Sequence, residues 1–114
     1  MATNQQETAI RPVQKMKLSL SNQGVQEQFR NLLKDRAPAF MASILNLFVA
    51  DSYLQKCDPS AVIQEAAKAA ALDLPIDKSL GLAYIVPYND KPQFQIGYKG
   101  YIQLAQRTNQ YKYI

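Results

Sequence analysis

The hydrophobic pattern of this chain is helical first, alternates in the middle and becomes helical again at the end. From Gly24, the residues Val25, Phe29, Leu32 and Leu33 recur at i, i+4, i+7 and i+8, with Asn22 placed to cap the helix and Pro38 set to stop it. Pro38 then suits the first turn of a second helix running to Cys57, with Phe40, Met41, Ile44, Leu45, Phe48 and Val49 on a stripe wider than one ordinary face. Such a stripe is either internal core or a contact between subunits. Asp58-Pro59 restarts the pattern, and Val62, Ile63, Ala66, Ala70 and Leu74 carry a third helical stripe through an alanine-rich run.

Leu74 to Lys78 reads as a loop, because Pro75 blocks continuation and Asp77 can fold its carboxylate onto nearby amides. Two runs rich in β-formers follow, Leu80–Tyr88 and Gln93–Tyr98, separated by the turn-forming Asn89-Asp90-Lys91-Pro92, so a β-hairpin is predicted with Lys91 at its tip. Pro87 cannot donate to a ladder, which requires an edge or a bulge there. At Gly97 the period changes from two to 3.6. Tyr98, Tyr101, Ile102, Leu104, Ala105 and Thr108 fall on one side of a last short helix, and Lys99, Gln103, Gln106 and Arg107 on the other. The fold class is therefore α+β, helices first, then a hairpin, then a short helix.

Residues 1–23 are rich in Gln, Asn, Ser and Thr without sustained periodicity, and read as a mobile polar arm preceding a unit of residues 24–114. No apolar run suits a signal peptide or a membrane span, so a cytoplasmic protein without a membrane partner is expected. The 114 residues allow one domain, 47% hydrophobic, with a formal net charge of +4. With one cysteine, Cys57, and no histidine, the chain offers no internal disulfide, no familiar metal-ligand spacing and no histidine-based catalytic triad.

The charge changes the picture only near the end. Residues 92–114 contain Lys99, Arg107 and Lys112 and no acid, interleaved with tyrosines and amides. Lys99 and Arg107 lie about 12 Å apart along a helix, enough to track a few nucleotides. Gln103 can donate to phosphate or sugar oxygens, and Tyr98 and Tyr101 either stack bases or fill a core. Lys78 and Lys91 are further phosphate contacts or solvated loop lysines. A metal-dependent nuclease using Asp58, Asp73, Asp77 or Asp90 is the enzymatic rival, but the position two residues before Lys99 is Gly97, which offers no ligand. An assembly domain that touches no nucleic acid is the other alternative.

The run GYKGYIQLAQRT, preceded by LDLPIDKSLGLAYIVPY and QFQ, closely resembles the RecT family of phage-type single-strand annealing recombinases, from about Phe40 to Ile114. That resemblance implies a non-enzymatic protein that binds single-stranded DNA and pairs complementary strands in recombination without ATP or any other cofactor. It also implies a homo-oligomeric ring or filament, with an exonuclease and a single-strand-binding protein as partners. Family members run to well over twice this length, so the resemblance implies an amino-terminal portion that stops within a further strand at Gln110–Ile114. Lys78, Lys91, Tyr98, Lys99, Tyr101, Gln103, Arg107 and Lys112 are the DNA-binding residues expected; no catalytic or metal-binding residue is.

Overall fold

The computed structural model describes residues 11–108. Four helices come first: α1 Pro12–Leu20, α2 Gln23–Leu33, α3 Ala37–Ala50 and α4 Pro59–Ala71. A two-stranded antiparallel hairpin follows, β1 Ala83–Tyr88 and β2 Lys91–Ile96, and then α5 Tyr98–Thr108. The arrangement is α+β, as the periodicities predict.

Helices α2, α3 and α4 each have a local reason to begin or end where they do. Asn22 accepts from the amides of Gly24 (2.8 Å) and Val25 (3.2 Å), satisfying two of the donors that open α2. Helix α3 is shorter than the predicted run to Cys57. Asp51 ends it by accepting from the amides of Tyr53 and Leu54, folding the chain into a 3-10 turn at Leu54–Lys56. Asp58 stands at the N-cap of α4 but makes no side-chain cap bond, and Pro59 opens the helix. At the other end of α4, Asp73 is left-handed (φ 56°), with Asp73 N donating to Ala70 O and Leu74 N to Ala69 O. That is the Schellman pattern, with aspartate in the position usually given to glycine.

The core lies among the four helices. Met16, Phe29, Ile44, Phe48, Leu54, Val62 and Leu74 are all fully buried, and the Phe29 and Phe40 rings pack with centroids 5.6 Å apart between α2 and α3. In the broad stripe of α3, Phe40, Ile44 and Phe48 are internal core, Met41 and Leu45 pack against it partly buried, and Val49 is exposed beside the end of the helix. The alanines of α4 let neighbours approach, and Ala66, Ala69 and Ala70 are buried. Cys57 is buried as well, and burial first, then Asp90 and Asp51, push its thiol up.

One expectation is corrected here. The polar arm drawn to Gln23 contains α1, which packs against α3 and α4 and buries Met16 and Leu20. Its stripe is only Val13, Met16 and Leu20, at i, i+3 and i+7, set among Gln, Lys and Ser, so composition concealed a one-sided helix. Residues 1–10 lie outside the described residues.

The hairpin is fixed to this body by its inner face and by one carboxylate. Ala83 and Ile85 are buried, and Phe94 and Ile96 pack against the core. Glu65 of α4 accepts the Phe94 amide at 2.9 Å and pairs with Lys68 at 2.9 Å. Burial pushes the Glu65 carboxyl up, but the Phe94 amide and the Lys68 ammonium outweigh it and hold the group below its ordinary 4.5. A depressed carboxyl stabilises the fold fully above its unfolded value and loses that contribution as pH falls through the folded value. Melting temperatures measured from neutral pH down to about pH 3 should therefore fall less for Glu65→Gln than for the wild type. Equal pH profiles would show that this tether contributes nothing.

Candidate nucleic-acid interface

The turn between the strands decides which side chains face outward. Asn89 and Asp90 both have positive φ (48° and 65°), the geometry of a two-residue type I′ turn, so the pairing begins at Tyr88↔Lys91. Pro87 then lies opposite Pro92. Alternation from the closing pair makes that a non-hydrogen-bonded position, so neither proline leaves a rung of the ladder unmade. The same alternation turns the Phe94 amide away from β1, which frees it for Glu65. Lys91 is the first residue of β2, not the centre of a longer turn.

With Ala83, Ile85, Phe94 and Ile96 facing inward, the outer face carries the cross-strand pairs Tyr84↔Gln95, Val86↔Gln93 and Tyr88↔Lys91. This face has no acidic side chain. Gln93, Gln95, Tyr88 and Lys91 are exposed, and Tyr84 and Val86 are half-buried. Four residues along a strand at about 3.3 Å each place Tyr84 and Tyr88 roughly 13 Å apart.

Helix α5 continues the face at the end away from the turn. Gly81 is left-handed (φ 67°), and a Cβ there would meet Lys99 Cδ at 3.4 Å and Tyr84 Oη at 3.5 Å. The stem of Lys99 and the ring of Tyr84 therefore converge above Gly81, and Lys99 makes no ion pair with another described residue. What lets α5 come so near is the absence of side chains. A Cβ on Gly97 would overlap the carbonyl oxygen of Gly81, and one on Gly100 that of Leu82.

The rest of the predicted basic helix face is arranged differently from Lys99. Arg107 Nη1 donates to Leu72 O at 2.6 Å, and Nη2 to Asp73 O at 2.9 Å and to Gln103 Oε1 at 2.9 Å. Its guanidinium serves carbonyls at the carboxyl end of α4, where the helix dipole also favours a cation. Arg36 reaches the same place through its ion pair with the Asp73 carboxylate. Arg107 and Gln103 thus hold α5 to the body. Tyr98 (79% exposed) and Tyr101 (62% exposed) face outward instead, with Ile102 beside them.

Lys78 stands in the 3-10 turn Lys78–Leu80, 4.0 Å from the Asp51 carboxylate, beside an open cavity of about 240 Å³. Asp77 accepts from the Ser79 amide and hydroxyl, bonds that hold its carboxyl below the usual range. Lys112 and the strand expected at Gln110–Ile114 lie outside the described residues. Among those described, no three residues of His, Cys, Asp or Glu gather as metal ligands, and no helix is long and apolar enough to cross a membrane.

Tyr84, Tyr88, Gln93 and Gln95 were not singled out from the sequence. The signal was present in the alternation of LAYIVPY, but a four-residue turn hides the pairing that a two-residue turn reveals.

A Bacillus subtilis (strain 168) protein, named as the uncharacterized protein YqaK, is 59% identical over 99 residues. The match covers 87% of this chain and 35% of that protein, so the chain spans about a third of the relative's length. The family model described as RecT family matches residues 38–114, a range that holds α4, the hairpin and α5. The chain therefore belongs to the RecT family.

Proposed function

We propose that this chain supplies a single-stranded DNA surface to a protein that anneals complementary strands in recombination, and that the surface is the outer face of the hairpin extended by Lys99. The observation that carries the reading is the uninterrupted acid-free face of Tyr84, Tyr88, Gln93, Gln95 and Lys91, joined at Gly81 to a lysine that makes no ion pair with another described residue. Family membership supports it.

Lys91 and Lys99 neutralise phosphates, the glutamines donate to phosphate or sugar oxygens, and the tyrosines stack bases of any identity. The strand is held extended with its pairing edges open. A complementary strand then tests it, so pairing supplies sequence fidelity and no cofactor or bond cleavage is required. In the whole protein the assembly is a ring or filament, acting beside an exonuclease and a single-strand-binding protein in the cytoplasm.

Fluorescence anisotropy with labelled oligonucleotides of unrelated sequence tests this. Equal binding to each single strand, weaker binding to duplex, and a linear fall of log affinity with log salt are expected. A strong preference for one duplex sequence contradicts it. Tyr98, Tyr101 and Ile102 on the outside of α5 favour a second reading, a surface for assembly independent of DNA. Light scattering with and without oligonucleotide separates the two, because the assembly reading alone predicts a size indifferent to DNA. Tyr101→Ala should leave the melting temperature nearly unchanged in either case, since the ring is largely exposed.

A further inference from the structure

We propose that the cleft between α4 and the turn of the hairpin is a separate phosphate site for the bound strand, in which Lys68 acts together with Lys91. The inference rests on the single-strand reading above and adds a helix to it.

The cleft is open, about 580 Å³, and is lined by Glu65, Lys68, Tyr88, Asn89, Lys91 and Gln93, with Pro92 and Phe94 at its wall. Its chemistry is that of a nucleotide unit. Two lysines from different elements line one space, a tyrosine 53% exposed stands beside them, and two side-chain amides offer donors. The one acid there is already engaged, since Glu65 Oε1 accepts the Phe94 amide and Oε2 the Lys68 ammonium. That pairing aims Lys68 toward the hairpin without using all three of its donors, and the lysine side chain remains 59% exposed. Lys91 makes no ion pair with another described residue.

A phosphodiester between Lys68 and Lys91 would leave its base beside Tyr88, at the end of the outer face opposite Lys99. The strand then crosses from α5, along the hairpin, onto α4. Nothing in the sequence marks Lys68 for this, because it sits in the alanine-rich helix as an ordinary i, i+3 partner of Glu65.

The test is anisotropy of a labelled oligonucleotide across a salt series, with circular dichroism confirming that each variant is folded. Lys68→Ala and Lys91→Ala should each reduce the salt slope by about 0.7, and the double variant by about 1.4, the single-strand value per phosphate contact. Lys68→Arg should keep the wild-type slope. Tyr88→Ala should weaken binding about tenfold with the slope unchanged. If Lys68→Ala keeps the wild-type slope while Lys99→Ala loses 0.7 or so, the cleft is not a strand site although the hairpin face is. If the wild type binds no single strand at any salt, the functional reading fails and the cleft with it. Competition with deoxyadenosine monophosphate and with inorganic phosphate separates strand from free ligand. Either one binding as tightly as the oligonucleotide contradicts a strand site.

Discussion

Phe48→Asp is expected to unfold the chain, not to release a smaller folded species. Phe48 is fully buried in α3 among the side chains of the helical core. Removing such a ring costs about 3 to 5 kcal/mol even when alanine replaces it, and an unpaired carboxylate adds the penalty of burying a charge. A domain of this size has roughly 5 to 15 kcal/mol in total. Circular dichroism should show the helical signal lost at room temperature, while Phe48→Ala stays folded with a lower urea midpoint. A folded Phe48→Asp protein of reduced size would mean that this face of α3 is a contact between subunits.

Gly100→Ala should destabilise, although alanine is the better helix former by about 1 kcal/mol. The added Cβ meets the Leu82 carbonyl oxygen, which is backbone and cannot swing aside, and lies 3.0 Å from Ile96 Cγ2. Overpacking of this kind costs about 1 to 3 kcal/mol, so the clash outweighs the propensity gain and lowers the melting temperature by several degrees. The loss should be local first. As α5 lifts from Leu82, Arg107 is drawn from the carbonyls of Leu72 and Asp73, and amide exchange should quicken across residues 98–108. A raised melting temperature with unchanged exchange would show that α5 does not sit this close.

These contacts also explain what was legible in the sequence. Helices α2, α3 and α4 announce themselves because their stripes are wide and their starts are marked by Asn22, Pro38 and Asp58-Pro59. Helix α1 does not, since only Met16 and Leu20 are buried and a 3.6-residue period needs more than two points to be seen. The hairpin was legible as two runs around a turn, but its register depended on Asn89 and Asp90 both adopting positive φ. A turn two residues longer on paper obscured the pairing of tyrosines with glutamines and Lys91. For α5 the period places Lys99 and Gln106 outside and Leu104 against the core, but Tyr98, Tyr101 and Ile102 of the apolar side are exposed and Arg107 of the polar side is bonded to the end of α4. Small residues decided this. Gly97 and Gly100 are the close-contact side, so the tyrosines that look like core remain outside and Arg107, which looks solvated, meets the end of α4. Periodicity reports which residues share a face; it does not report which face a neighbour covers when the contact is made by glycine.

The most direct measurement compares Lys99→Ala with Arg107→Ala on the same oligonucleotide, recording salt slope and melting temperature for both. Lys99 stands on the open face beside Tyr84, so its loss should reduce the slope by about 0.7 and leave the melting temperature within the small range of exposed substitutions. Arg107 holds two backbone carbonyls, so its loss should lower the melting temperature, by an amount on the order of 1 kcal/mol in stability, and leave the slope near that of the wild type. The reverse pattern, with Arg107→Ala lowering the slope at unchanged stability and Lys99→Ala silent, would contradict the account and return the DNA surface to the far end of α5.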